Sequence, residues 1–422
     1  MRKKVYYEIC FKQKSPLRIG NVGSERTDSD LMIDGRGLPF IPGSSIAGVF
    51  RSMIPEDMRD MIFGSIENGE ANGSHLIVGD AVLPDTAVVI VSKRDGVSLD
   101  KWGSVKNKFD FETAETTQSY SCIAEWNGTD EEYLKEIEEI IDPLLKSVIS
   151  SGISFGSRTT RGYGEMSVSA KKLVFSFPEQ VDQWMDFSPY RADAFKDADE
   201  LIGKDDKSEK LIWIKASILI DGNFSVSNPT SDRIPDNESS SPDKVPLKNM
   251  SGNPVISGSS WAGTFRHHII SLCERLGLDQ SIGNKMFGIN DPKTNDYSRS
   301  GLRFEETEIT GGKEVVVTRN AIDRFTGGPK NTGLFTAEIC YGGKGELTIC
   351  FEEGSLTRIQ KQLLSTALYD LQLGIMTIGG EAGIGRGRVK IDKLTVNGTD
   401  KTELIKMVSS ESGSIPADLL EV

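Results

Sequence analysis

Two loops of the chain gather carboxylates just ahead of turns rich in glycine, serine and arginine, a combination able to act on phosphate esters. Residues 24–34 carry Asp28, Asp30 and Asp34, and residues 229–246 carry Asp232, Asp236 and Asp243. Clusters of this kind are common in solvated loops. Beside a bound phosphate, however, an aspartate can hold Mg2+ or orient a 2′-hydroxyl for attack on phosphorus. The turns that follow read Gly43-Ser44-Ser45 and Gly258-Ser259-Ser260, with Arg51 and Arg266 two turns downstream. Ser44 or Ser45 is expected to cap a helix starting near Ile46, and Gly43 to let the backbone approach a partner closely. The amides and dipole of such a helix start suit a phosphate, and the arginines could supplement them. The alternative is a plainly capped helix in a turn–helix unit.

Two more segments carry cations. Gly156-SRTTR-Gly162-Tyr-Gly164 and Gly379-GEAGI-Gly385-Arg-Gly387 share the spacing GxxxxxGxG and hold Arg158, Arg161, Arg386 and Arg388. Their amides and arginines suit phosphate contact, or else the glycines form a tight hairpin. They join strand to strand, which excludes a dinucleotide-binding GxGxxG, since that motif must open a helix. Residues 94–115 place Arg94, Lys101, Trp102, Lys106, Phe109 and Phe111 together, and residues 319–338 place Arg319, Arg324, Phe325, Lys330 and Phe335. Cations interleaved with rings are what single-stranded nucleic acid requires, because cations meet phosphates and rings stack on bases. A hairpin that folds its rings onto its own domain is the alternative.

The elements that must position these residues occur twice. GSSIAGVFR (43–51) and GSSWAGTFR (258–266) agree at seven of nine positions, 215 residues apart, and each is followed by a run ending in Phe-Gly. The cation–aromatic segments and the Gly-rich loops recur in the same order, so the chain is an internal duplication. Each half opens on an alternating strand (5–11; 211–220) and continues through the GSS helix and further strands. A second helix (about 131–149; 355–370) and the Gly-rich loop then lead to a last strand. This β-α-β…α-β order predicts an α+β protein of two tandem ferredoxin-like (RRM-like) domains, each with a β-hairpin thumb insertion. The expected division is 1–180, an acidic linker at 181–210, a second module at 211–400 and a tail at 401–422.

Composition sets the outer limits. The 422 residues allow two or three domains. Forty-three glycines, against an average near ~7%, mark many sharp turns or close approaches. Five scattered cysteines without a CxxC indicate neither a zinc site nor a disulfide framework. Three histidines weigh against histidine acid–base chemistry. No apolar run is long enough to span a bilayer, and MRKKVYYEICFKQK lacks an apolar core, so a cytoplasmic protein without membrane contact is expected. The net charge of −13 argues against nucleic acid taken alone, but seven acidic residues sit within 130–142 while the Gly-rich loops are basic.

LPFIPGSSIAGVFR, Phe63-Gly64, NAIDRFTGG with LFTAE, and the two GxxxxxGxG loops together resemble the repeat-associated mysterious protein (RAMP) superfamily of CRISPR systems. They look most like the ribonuclease-bearing backbone subunit of type III effector complexes, here as two fused copies of the type III-D kind. The resemblance implies palms that hold CRISPR RNA, thumbs that displace a base pair of the guide–target duplex, and an aspartate that cuts target RNA beside each displaced base. It also implies partners: CRISPR RNA, complementary target RNA and the other subunits of the complex. The cutting position falls on Asp28 in the first copy and on or near Asp243 in the second, each with tentative Mg2+. The second loop is read as one residue short, with Asn249 in place of the second aspartate. Two alternatives stay open: a guide-RNA scaffold whose partner does the cutting, and an unrelated metabolic enzyme of two ferredoxin-like domains.

Overall fold

The computed structural model of the chain describes residues 2–20, 27–67, 70–99, 105–115, 118–203, 211–229, 242–291, 296–407 and 419–420. Two compact units emerge. One comprises Met1–Lys93, Phe111–Thr159 and Tyr163–Ser208; the other comprises Arg94–Asp110, Thr160–Gly162 and Glu209–Val422. Residues 94–110 and 160–162, assigned by sequence to the first module, therefore count with the second unit.

In the first unit the chain runs through β1 (Arg2–Gln13), α1 (Gly43–Met53), α2 (Glu56–Phe63), β2 (Leu76–Val78), β3 (Ser119–Thr129), α3 (Asp142–Ser151) and β4 (Glu165–Phe177). β1 lies antiparallel between β3 and β4, with Tyr7 opposite both Ala124 and Lys172, and β2 flanks β3. The spatial order fourth, first, third, second is that of a ferredoxin-like sheet. Alternation along β1 explains its place: Val5, Tyr7, Ile9 and Phe11 point inward and are at most 1% exposed. They pack on Ile46, Phe50 and Ile62 of the first two helices and on Ile137, Leu145 and Val148 of the second helical run. That run opens on a Thr129–Glu132 capping box and passes through wide turns at Tyr133–Ile141 into α3.

The opposite face of this sheet is covered as well. Tyr6 and Phe175 pack with Phe195, Phe187 and Trp184, whose indole N–H donates to the Tyr6 hydroxyl at 3.1 Å. Asp199–Leu201 then adds a strand beside β4. The described part of the segment expected to be a linker is thus the lid of the first sheet, because alternating aromatics on the sheet's outer face need burial.

The second unit repeats the plan with β5 (Leu211–Ile220), α4 (Gly258–Arg275), α5 (Gln280–Phe287), β6 (Arg303–Phe304), β7 (Lys344–Glu352), α6 (Arg358–Gln372) and β8 (Val389–Val396). Its sheet order, β6-β7-β5-β8, is again second, third, first, fourth. Ile214, Ala216 and Ile218 face α4 and α6, where Trp261, Phe265, Leu364 and Leu368 complete the core. Trp261 stands where the first copy has Ile46, and its buried N–H donates to Thr307 Oγ1 at 2.9 Å. Of the expected tail, Leu419 and Leu420 are buried in this core.

Both thumbs are hairpins, Val91–Leu99 with Val105–Ala114 and Lys313–Ile322 with Pro329–Tyr341. Among the described residues, no helix is long and apolar enough to cross a membrane.

Candidate nucleic-acid interface

The GSS turns do structural work first. α1 starts at Gly43 itself, three residues earlier than expected, and Pro42 precedes it without a side-chain cap. The amide of Gly43 donates instead to Asp80 Oδ1 at 2.7 Å. In the second copy the capping residue is Ser257, whose hydroxyl accepts from the Ser260 amide and contacts the Ser259 and Ser260 hydroxyls. Neither Ser44 nor Ser45 caps, because the preceding residue holds the extended conformation that capping needs. The glycines answer to packing: a Cβ on Gly43 would lie 2.2 Å from the Val78 carbonyl oxygen, and one on Gly258 2.3 Å from those of Phe304 and Arg161.

The arginines that follow staple helix to helix. Arg51 donates to the Gly64 carbonyl at 2.6 Å and pairs with Asp60, while Arg266 donates to Asn284 Oδ1 at 3.1 Å, at the corresponding place. Gly64 and Gly288 end α2 and α5 at φ 76° and 83°, which accounts for the repeated Phe-Gly. Arg94 is also internal: it is 2% exposed and ion-paired with Glu306. Of these three arginines, all read from sequence as RNA contacts, Arg94 is enclosed by the protein, while Arg51 and Arg266 spend hydrogen bonds on the neighbouring helix. Arg161 donates to the Phe287 carbonyl at 3.1 Å.

The Gly-rich loops are conformational copies. Gly156, Gly162 and Gly164 have φ of 81°, 80° and 74°, and Gly379, Gly385 and Gly387 have 85°, 84° and 81°. Phe155 N donates to Gly164 O at 2.9 Å, as Ile378 N does to Gly387 O at 2.8 Å. The Gly164 and Gly387 amides reach the Pro16 and Asn223 carbonyls at 2.8 and 2.7 Å. Each loop is thereby tied to the segment that follows the first strand of its own copy.

In each unit, the motifs recognised in the sequence meet at the base of a hairpin. In the first, Leu31 N donates to Glu112 Oε2 at 3.0 Å and Glu112 N to Ser29 O at 3.1 Å, which pins the aspartate loop to the hairpin strand. On the neighbouring residue, the guanidinium groups of Arg18 and Arg158 lie 4.4 and 4.7 Å from the Phe111 ring centroid. Burial lowers the pKa of both, and for Arg158 the charge of Arg18 lowers it further. Arg18 had no signal in the sequence beyond its place in SPLRIG.

In the second unit Asp243 N donates to Thr336 O at 2.7 Å, and Thr336 N donates back to Asp243 Oδ2 at 2.8 Å. Lys244, next to it, lies 5.2 Å from the Phe335 ring centroid and 3.7 Å from Glu381 of the Gly-rich loop. Glu381 also pairs with Arg319 at 2.9 Å and with Arg386, which is 4% exposed. Asp243 stands fifteen residues before Gly258, as Asp28 does before Gly43, so the expected shortening of the second loop is absent, while Lys244 replaces Ser29 and Asn249 replaces Asp34.

The candidate carboxylates differ in circumstance. Asp28 is exposed. Asp30 accepts from the Thr27 hydroxyl. Asp34 accepts from the Arg36 side chain and from the Arg36 and Leu38 amides, and the Arg36 hydrogen bond holds its carboxyl below the usual range. It is a turn-forming residue. Asp232, Asp236 and Trp102 lie outside the described residues. Among the described residues, no group of three or more His, Cys, Asp or Glu side chains is arranged to hold a metal ion. A magnesium site completed by substrate phosphate oxygens needs only one or two carboxylates.

The second hairpin ends in a shaped tip. Asp323 accepts from the Phe325 and Thr326 amides, both at 2.9 Å, and those bonds keep its carboxyl low. Phe325 stands 99% exposed at that turn, with Arg324 and Lys330 exposed beside it. Lys106 on the first hairpin and Arg388 after the second Gly-rich loop are also exposed. The family model of the RAMP superfamily matches residues 11–167 and 199–390. No curated protein matches the chain.

Proposed function

Because the chain belongs to the RAMP superfamily, we propose that it is a CRISPR-RNA-binding backbone subunit of a cytoplasmic type III effector complex, with two fused copies, and that its first copy cuts guide-complementary target RNA. One observation carries the reading. In both copies the aspartate loop, the hairpin base and the Gly-rich loop meet, so a strand lying there encounters cations, a carboxylate and a projecting hairpin together.

The division of labour follows from chemistry. Gly-rich loop cations and amides hold ribose-phosphate, and a hairpin lying across the strand parts neighbouring bases, as the exposed Phe325 would in the second copy. A nucleotide driven out of the stack can bring its 2′-oxygen in line with the adjacent phosphorus. The 2′-oxygen then bonds to phosphorus as the bond to the 5′-oxygen breaks; the 2′-hydroxyl gives up its proton and the departing 5′-oxygen gains one. The products are a 2′,3′-cyclic phosphate and a 5′-hydroxyl. Asp28 accepts a hydrogen bond from the 2′-hydroxyl and orients it. A divalent cation, when bound by Asp28 and phosphate oxygens, supplies neutralisation of charge at the phosphate.

The second copy is read as guide scaffold. Asp243 accepts from the Thr336 amide through Oδ2, which ties it to the hairpin strand, and Asn249 stands where the first loop has Asp34. In the complex assembled with guide and a labelled complementary RNA, Asp28→Ala is expected to remove one product band while guide content stays unchanged. Asp243→Ala is expected to leave the pattern intact. Persistence of every band in Asp28→Ala overturns the assignment.

A further inference from the structure

The two Gly-rich loops share a backbone but differ in the charge of one residue. Arg158 and Glu381 occupy the same place, with φ of 63° and 65°. An L side chain in that left-handed region is strained, and glycine or asparagine would serve the turn at less cost. Glu381 instead collects three cations. Arg319 Nη2 lies 2.9 Å and Lys244 Nζ 3.7 Å from its carboxylate, and Arg386 is also paired with it. Arg386 is enclosed, its side chain 5% exposed, whereas those of Arg319 and Lys244 are 35% and 40% exposed. Burial disfavours the ionised form of Glu381, but the Arg319 hydrogen bond and the charges of Arg386, Arg319 and Lys244 outweigh it, so the carboxyl sits below its usual range. One anion among three cations leaves two positive charges in excess, on the side open to solvent. A carboxylate and a phosphodiester present the same chemistry to a guanidinium, two oxygens accepting in parallel under one negative charge.

We propose that Glu381 stands in for an RNA phosphodiester in the second copy, and that bound RNA draws Arg319 and Lys244 from Glu381 onto a phosphate while Arg386 keeps the carboxylate. The inference rests on the RNA-binding reading above and adds a competitor built into the site. At the corresponding position the first copy carries Arg158, a cation in place of the carboxylate. RNA is thus held less tightly at the second Gly-rich loop until the carboxylate yields.

The test uses the full chain and a labelled single-stranded RNA of about 30 nucleotides, with affinity measured across salt concentrations. Glu381→Gln removes the anion but keeps a hydrogen-bonding side chain. It is expected to bind about three- to tenfold tighter, and to steepen the slope of log K against log salt by about 0.7 to 1.4 as one or two cations are freed for phosphates. Should the variant fail to fold, carbodiimide-coupled labelling of Glu381 in the unaltered protein decides, and labelling is expected to rise when RNA is added. Retention of RNA with unchanged labelling, or with affinity equal or weaker in folded Glu381→Gln, overturns this inference and leaves the RNA-binding reading standing. Failure of the unaltered chain to retain RNA overturns both.

Discussion

Gly385 and Gly387 share one loop and nearly one backbone conformation, at φ 84° and 81°, but differ in clearance. A Cβ on Gly385 meets nothing within 4 Å, whereas one on Gly387 would lie 2.0 Å from the Ile378 carbonyl oxygen. Gly385→Ala therefore costs only the left-handed strain of an L-residue, about 1–2 kcal/mol, less about 0.4–1 kcal/mol regained from a stiffer unfolded chain. Gly387→Ala carries the same strain, and it must also push the strand apart. That displaces the Ile378 N to Gly387 O and Gly387 N to Asn223 O bonds of 2.8 and 2.7 Å. Buried groups that lose their partners cost about 1–3 kcal/mol each, so the total should reach about 3–5 kcal/mol. For a unit of this size each kcal/mol moves the midpoint by about 2–4 °C, giving a few degrees for Gly385→Ala and about 6–20 °C for Gly387→Ala. Thermal melts of the full chain measure the shift. Hydrogen exchange assigns each transition to a unit, since a chain of two units need not unfold in one step. Equal shifts for the two variants would refute close backbone approach, rather than positive φ alone, as the reason for glycine at position 387.

Phe325→Ala should leave stability within about 0.5 kcal/mol, as nothing packs on a ring 99% exposed, yet weaken binding of single-stranded RNA about tenfold, the worth of one stacked base. Arg51→Met should do the reverse: it removes the hydrogen bond to the Gly64 carbonyl at a cost of about 1–3 kcal/mol in denaturant melts, and leaves RNA affinity unchanged. Lys172 donates to Asp142 Oδ2 at 2.6 Å and to the Tyr133 hydroxyl at 3.0 Å, and although burial lowers its pKa these partners raise it above the ordinary lysine value of 10.5. A raised lysine stabilises fully below the unfolded value and loses that contribution as pH climbs through the folded one. The first unit should therefore lose stability above about pH 10.5, and Lys172→Met, which takes the cation from buried Asp142 and leaves it the Tyr7 hydroxyl, should cost about 3–5 kcal/mol at neutral pH and flatten that alkaline loss.

The duplication and the ferredoxin-like order were legible because they rest on spacing: alternation in 5–11 and 211–220, and glycines at fixed intervals that only one backbone path satisfies. Side-chain duty was harder to read. Arg94 and Arg319 sit in cation–aromatic stretches and Arg51 in the GSS helix, and nothing local tells that Glu306, Glu381 and Asp60 will claim them. Those partners are separated by nine residues in one case and by sixty-two in another, distances over which periodicity carries no information. Asp243 illustrates the same limit, because its engagement by Thr336 depends on a hairpin strand ninety-three residues away. Aligning the two Gly-rich loops residue by residue would have set Glu381 opposite Arg158, and that opposition was the one available signal for the charge reversal.

The aromatic lid over the first sheet has a practical bearing. A fragment ending at residue 180, where the sequence invites a cut, would strip Trp184, Phe187 and Phe195 from Tyr6 and Phe175 and bare an oily β-surface. Such a surface invites self-association during expression, irrespective of how well the core beneath it folds. Fragments that keep residues through 203 retain the covering strand Asp199–Leu201 and with it a wettable exterior.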